Sequence, residues 1–479
     1  MRAALAEKTD VPFIAGLTTL NQEVNVDHLP VTGTLPTWLS GTLVRNGPGK
    51  FEVGHQNLRH WFDGLAMLHR YTFHAGQVSY ANRYLRTQAY EKSTATGKLS
   101  FREFGTDPCR SVFGKLFTIF DHTVTDNTNV NVTALNGRFI ALTEAPPMIE
   151  FDPETLQTLA ALKYDDAFKD SMTSAHPHYD AKHGEAFSYG LHFGQSNSYN
   201  LYRIPNGTLR RELIASITTK NPGYMHSFAV TEHYLILTEF PVYFDSLAVA
   251  FGTKSISDSL MWKPQNAARM IVVERATGEV KTILETEPYF AFHHINAFEQ
   301  GDTIFLDICA YPDSTLISDL YLDNLRADKG IPLSQLRRYE IPLKGKQCSY
   351  SVLSTESIDL PRINYARSNG ADYRYAYGIS TRKDTPHGFQ NQLVKVDVKA
   401  QMTRTWYQDG SYPGEPVFVA APNATAEDDG VVLSIALDAD KGTSFMLVLD
   451  GTSFTELGRA EMPHALPFGF HGQFFNVQH

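Results

Sequence analysis

Cysteine is nearly missing: Cys109, Cys309 and Cys348 are the only three in 479 residues, an odd number with no C-x-x-C spacing. That excludes a disulfide framework and a cysteine zinc site, and suits a reducing, cytoplasmic setting. No run of eighteen or more apolar residues occurs, so no membrane-spanning helix is expected. Glu7, Lys8 and Asp10 stand where a signal peptide would need its apolar core, so export is not expected either. Basic charge is in deficit, since Lys+Arg 42 against Asp+Glu 52 gives −10, and a nucleic-acid partner is not expected. Long helical periodicity is scarce, with candidates only at residues 109–120, 245–262 and 316–328. No low-complexity linker divides the chain, which points to one domain over residues 1–479.

What is present is β-structure. At 42% hydrophobic and 12% aromatic residues the chain can bury a sizeable core. Short runs rich in Val, Ile, Leu and aromatics, bounded by Gly, Pro, Asn or Asp, read as strands at 138–142, 234–238, 270–273, 303–306, 393–396, 431–437 and 445–449. An apolar strand followed by an acid and a turn recurs at Asp152, Glu274, Asp397 and Asp450. The first two intervals, 274 − 152 = 122 and 397 − 274 = 123, are each close to twice a period of about 60, the size of an elaborated four-stranded propeller blade. Four irregular matches also suit a large sandwich or barrel.

Histidine, at 18, is the reactive type in mild excess. His176, His226, His293 and His471 stand in apolar or aromatic strand-like settings, separated by 50, 67 and 178 residues, intervals at which each could come from a different blade. A propeller aims its innermost strands at one axis, so the four could meet at a single ion, and neutral imidazole suits iron, copper, zinc and nickel. A single histidine in an apolar strand is more often a hydrogen-bonded core residue; recurrence at blade-like intervals is what weakens that alternative. His178 and His294 are assigned structural roles, His294 because strand alternation turns it from the face of His293. Ligating imidazoles need an acceptor on their other ring nitrogen. Glu144, Asp359 and Glu415 interrupt apolar or Pro-bounded segments and are the candidates, with a surface turn or cap as the alternative.

Gly41-Thr42-Leu43-Val44-Arg45-Asn46-Gly47-Pro48-Gly49, His60-Trp61-Phe62-Asp63-Gly64-Leu65-Ala66-Met67, Asn82-Arg83-Tyr84-Leu85-Arg86-Thr87, the four histidine settings, Glu427-Asp428-Asp429-Gly430 and Phe470-His471-Gly472 together resemble the carotenoid cleavage oxygenases. That family includes the retinoid isomerase of the visual cycle and stilbene-cleaving dioxygenases. The resemblance spans nearly the whole chain. It implies an all-β, seven-bladed β-propeller with a helical and loop cap, including insertions at about 105–125 and 244–263, over an axial metal site. It further implies one ferrous ion, Fe(2+), held by His176, His226, His293 and His471. Of the family's three supporting glutamates, Glu144 and Glu415 match, while Asp359 takes the third place with a side chain one methylene shorter.

The implied reaction is addition of O2 across a conjugated C=C bond of a carotenoid or apocarotenoid, giving two carbonyl products with no nucleophilic side chain. Val130 aligns near the open coordination position, and Phe292 is the one substrate-wall residue nominated. Thr143 stands where stilbene-cleaving enzymes carry Lys, which disfavours stilbenes; retinoid-type isomerisation on the same scaffold ranks third. Residues 109–120 resemble the family's membrane-contact segment, and 244–262 is a second candidate, so the expected partners are an apolar polyene and a membrane surface touched peripherally, with no obligate protein partner. Outside the family, a calcium-dependent propeller hydrolase would place oxygen ligands at the axis, and an interaction platform would bind no iron.

Overall fold

The computed structural model describes residues 11–107, 125–245, 248, 254–385 and 388–476. Its strands form seven four- to six-stranded antiparallel sheets arranged as the blades of a β-propeller. Blade 1 is built on Gly41–Lys50, Leu65–His74 and Gln77–Tyr84, and blade 2 runs from Asn131–Leu135 to Thr158–Ala161. Blade 3 has an inner strand split into Met172–Thr173 and His178–Asp180. Blades 4, 5 and 6 begin at Ala229–Val230, His294–Gln300 and Asp359–Arg362, and blade 7 at the split pair Ser411–Pro413 and Val417–Ala420.

The ring closes from both chain ends. Gly472–Phe475 adds to the inner edge of blade 1 through Gly41–Lys50, and Val31–Gly33 adds to the outer edge of blade 7 through Glu456–Glu461. Each closure pairs strand edges that would otherwise offer unpaired backbone groups to water or to another chain.

Middle strands of the blades are buried on both faces, because neighbouring blades stack against them. Gln392–Asp397 is buried at every residue and Thr443–Asp450 at all but its two ends. That is why these strands read as near-continuous apolar runs, as doubly covered strands do. The core is correspondingly divided into seams. Leu43 and Met67 of blade 1 pack with Val431 and Met446 of blade 7, Val44 and Leu68 with Val132 and Phe151 of blade 2, and Tyr377 and Leu393 of blade 6 with Val432 and Phe445 of blade 7.

The acid-turn repeat marks one hairpin, the link from third to fourth strand. Oδ1 of Asp152 accepts from the Glu154 and Thr155 N–H groups (3.0 and 2.7 Å), Asp397 from Lys399 and Ala400 (3.2 and 2.9 Å), and Asp450 from Thr452 and Ser453 (3.1 and 2.6 Å). Such Asx turns explain the acid at that position. The two 122- to 123-residue intervals each skip one blade.

Of the three helical expectations, that at 109–120 lies outside the described residues, as do 246–247 and 249–253 of the second, where Ala248 is helical; the rest of the second and the third need correction. Over 254–262 the chain forms a short 3-10 turn, Ser257–Ser259, and then a strand, Leu260–Trp262, paired with Val242–Phe244. Lys263 precedes Pro264, which disfavours helix at that point, and the ribbon inserts between the second and third strands of blade 4. Residues 316–328 hold two short helices, Thr315–Asp319 and Leu322–Arg326. Between them Tyr321 is extended and bridges His60, with the Trp61 N–H donating to the Leu320 carbonyl (3.1 Å) and the Leu322 N–H to the Arg59 carbonyl (2.8 Å). This break ties the cap to the His60-Trp61-Phe62-Asp63 turn.

Candidate metal centre and substrate cavity

Every blade contributes one residue to the axis. His176 lies in the break between the two inner strands of blade 3, and His226, His293 and His471 lie one to three residues before the inner strands of blades 4, 5 and 1. Blades 2, 6 and 7 supply Glu144, Asp359 and Glu415. The structure brings all seven together. The four imidazoles offer one nitrogen each within 4.8 Å of one another, with Nε2 to Nε2 distances of 2.8 Å for His176 and His226 and 3.2 Å for His293 and His471.

Three rings are oriented by carboxylates. Nδ1–H of His226 donates to Glu144 (2.6 Å), that of His293 to Asp359 (2.6 Å) and that of His471 to Glu415 (2.8 Å). These bonds place the proton on Nδ1 and leave the Nε2 lone pairs facing inward. Among the described residues no carboxylate bonds His176; its backbone N–H donates to Ser174 Oγ (3.0 Å). Converging lone pairs at these distances repel unless a cation lies between them, so the donor set fits a transition-metal ion with nitrogen preference. It does not fit calcium, because the carboxylates are engaged on the far side of the rings.

The electrostatics keep His176 and His471 neutral and Asp359 and Glu415 charged. Burial, followed by the neighbouring rings, pushes His176 well below the usual histidine range, and burial takes His471 down to about 4 despite Glu415. Burial would raise Glu415, but Arg362, His471 and Arg45 outweigh it and hold its carboxyl at about 2. Arg45 grips both sides of this contact. It donates to the Glu415 carboxylate (3.2 Å), to the Glu415 carbonyl (3.0 Å) and to the Phe470 carbonyl beside His471 (2.8 Å).

His178 and His294 stay outside the cluster. Nε2 of His178 meets the Phe228 carbonyl (2.9 Å), and His294 bonds the hydroxyls of Ser227 and Thr238 (both 2.8 Å).

A cavity opens on the imidazoles of His226, His293 and His471. Trp61, Phe62, Phe292, Phe389 and Phe470 wall it with Leu316, Leu320 and Ile331, while His226, His293, His471 and Val130 form its inner end. Such a shape suits a long apolar ligand. Val130 also accepts the His471 N–H (3.2 Å). Thr143 is not among the wall residues: one position past the strand Arg138–Leu142, it is buried with its N–H toward Met148 sulfur (3.3 Å).

Several contributors were not singled out from the sequence. Tyr224 donates to both oxygens of Glu144 (3.1 and 3.0 Å), and Tyr311 donates to Asp359. Trp61 and Phe62 enter the cavity on a turn whose start is closed by a capping box, His60 accepting the Phe62 N–H (3.1 Å) and Asp63 accepting the His60 N–H (2.9 Å). For Trp61 and Phe62 the signal was present, as aromatics fill the His60-Trp61-Phe62-Asp63 segment.

Behind that turn lies Glu103, buried beside Asp63 and bonded by Thr125 (2.8 Å). Burial, then the Asp63 charge, pushes its carboxyl up from 4.5 to about 8. The folded chain therefore keeps a proton that the unfolded chain loses above about 4.5, and stability falls as pH rises through that window toward 8, by about 1.4 kcal/mol per unit. Glu103→Gln is expected to raise the melting temperature at pH 8 and leave it unchanged at pH 4. Thermal denaturation at both values checks this; equal shifts at the two would contradict it.

The comparisons with known proteins agree with this geometry. A family model described as retinal pigment epithelial membrane protein matches residues 17–476. The carotenoid-cleaving dioxygenase of Mustela putorius furo is 34% identical, with 99% of each chain covered. The chain belongs to the carotenoid cleavage oxygenase family. As a carotenoid oxygenase it is also 33% identical to the β,β-carotene 15,15′-dioxygenase of Rattus norvegicus over 93% of this chain and 88% of the relative. Among solved structures, a cobalt-substituted apocarotenoid oxygenase of Synechocystis superposes with a TM-score of 0.88 at 26% identity, covering 97% of this chain and 98% of that one. The chain is thus an oxygenase of a metal-dependent family. No helix among the described residues is long and apolar enough to cross a membrane.

Proposed function

We propose that this chain, acting as one unit over residues 1–479, is a non-haem iron(II) dioxygenase that cleaves a conjugated C=C bond of a carotenoid or apocarotenoid into two carbonyl products. The observation that carries this is the opening of an apolar cavity directly onto His226, His293 and His471, three of the four converging imidazoles. His176, His226, His293 and His471 would hold the ion, and ferrous iron bound there would supply the site at which dioxygen is activated. Glu144, Asp359 and Glu415 fix three of the rings. Trp61, Phe62, Phe292 and Phe470 orient the polyene and keep water from its reacting bond, with Val130 at the inner end.

The substrate would arrive from a membrane surface touched peripherally from the cytoplasm. The first candidate contact, 109–120, and Leu247, Val249 and Phe251 of the second lie outside the described residues. Stilbene cleavage is the runner-up and is disfavoured by Thr143; isomerisation on this scaffold comes third.

Iron-loaded protein incubated with β-carotene or a long apocarotenal under oxygen-18 gas is expected to yield two carbonyl products carrying label, after allowance for exchange with water. Mass spectrometry then locates the broken bond. Intact substrates at full iron occupancy would overturn carotenoid cleavage.

A further inference from the structure

We propose that Asp359 and Tyr311 form a matched pair that positions His293, so that a glutamate at 359 is not a conservative replacement in this chain. The inference assumes that the four histidines hold a metal. His226 and His471 are held by glutamates, whereas His293 is held by an aspartate with the same direct contact, 2.6 Å. A shorter side chain makes that contact only if its backbone stands closer, and several features bring it there.

Asp359 opens the inner strand of blade 6, where pairing with the next strand slips between Asp359↔Ile379 and Arg362↔Tyr377. Inside this irregularity Leu360 has φ +42°, a conformation that a branched side chain adopts at a cost. No residue beside Glu144 or Glu415 has a positive φ. The backbone before Asp359 is pinned by Ser334, whose hydroxyl donates to the Ile358 carbonyl (2.5 Å) and accepts the Ile358 N–H (3.2 Å). Behind it, Gly378 makes room: a Cβ there would stand 2.8 Å from the Asp359 carbonyl oxygen and 2.3 Å from Ile358 Cγ1.

The carboxylate is then fully engaged. Oδ1 accepts from His293 and from the Leu360 N–H (2.8 Å), and Oδ2 accepts the Tyr311 hydroxyl. Tyr311 cannot easily retreat, because its backbone pairs with Phe290 in both directions (2.7 and 3.1 Å) and its side chain is buried. A carboxylate one methylene longer, set on this advanced backbone, meets the Tyr311 hydroxyl or displaces His293. Tyr311 and Asp359 are thus positioning residues that act through His293.

The test is a cobalt(II) titration of metal-free protein, reading affinity and the visible cobalt spectrum, with the melting temperature of each metal-free variant alongside. Asp359→Glu is expected to weaken cobalt binding about 10-fold, within the range typical of residues behind a ligand, and to shift the spectrum. Tyr311→Phe weakens it less. The double variant D359E/Y311F recovers much of the loss, a coupling that independent residues do not show. Asp359→Asn, which keeps the length and gives up the charge, binds more tightly than Asp359→Glu and keeps the comparison available if the glutamate variant unfolds. Wild-type affinity in Asp359→Glu, additive losses in the double variant, or weaker binding by Asp359→Asn than by Asp359→Glu would each overturn the pairing. Failure of the wild-type protein to bind one cobalt per chain would instead remove the metal-site assignment on which the pairing depends.

Discussion

Replacing His293 by alanine is expected to lower the affinity for ferrous iron by more than about 100-fold, the upper end for residues that only support a ligand from behind, and to abolish cleavage. The substitution deletes one of four converging nitrogens and leaves Asp359 buried with Tyr311 and the Leu360 N–H but without its imidazole. His294 is the internal control. It is adjacent in sequence, yet its ring bonds Ser227 and Thr238 on the opposite face. His294→Ala should therefore cost stability, about 1–3 kcal/mol for the hydroxyl partners left without it, while iron binding stays close to wild type. Anaerobic iron titration and thermal denaturation of the two variants separate the effects. Equal loss of iron affinity in both, with the fold intact, would contradict the assignment of His293.

Glu415→Ala is expected to be the most destabilising single change at the site. The side chain is fully buried and receives His471 Nδ1 (2.8 Å), the Gly472 N–H (2.9 Å) and Arg45 (3.2 Å), with Arg362 at 3.7 Å. Removing it leaves the buried Arg45 guanidinium without its counter-charge, a loss of about 3–5 kcal/mol. It also frees His471, for which a 10- to 100-fold drop in metal affinity is the usual scale. The pH dependence gives an independent check. Glu415 titrates at about 2 in the folded chain against an ordinary 4.5. Its depressed value contributes stability that is present above about 4.5 and lost as pH falls toward 2, about 3 kcal/mol in all. Denaturant unfolding at pH 7 and pH 3 should show that the wild type loses about 2 kcal/mol of this increment and the variant has little of it to lose. An acid limb identical in the two proteins would contradict the charged network around Glu415.

What the sequence made legible follows from burial. All seven runs read as strands are second or third strands of blades, and those between two blades must be apolar on both faces, as in Gly430–Asp438. Inner strands escaped notice because most are short, Ala229–Val230 being only two residues long. Outer strands such as Met402–Trp406 escaped because one face is solvated. The acid turns were visible because an Asx turn needs its acid at a fixed place. The histidines and their carboxylates stood out as polar residues in apolar settings. Which acid serves which ring was not legible, since Glu144 reaches across 82 positions and Asp359 across 66. Nor were Arg45, Tyr224 and Tyr311 singled out: a buried arginine inside a strand or a tyrosine in an aromatic-rich chain carries no local mark of its partner. Within 245–262 the expectation departs from the structure over 254–262, where helical spacing of apolar residues also suits a ribbon closed by Leu260–Trp262; Ala248 is helical, and 246–247 and 249–253 lie outside the described residues.

The most direct measurement is anomalous diffraction at the iron edge from crystals of the iron-loaded protein. The expected result is a single peak at the centre of the four Nε2 atoms of His176, His226, His293 and His471, beside the cavity walled by Trp61, Phe62, Phe292 and Phe470. A peak elsewhere, or none at this centre in protein that carries one iron per chain in solution, would contradict the account.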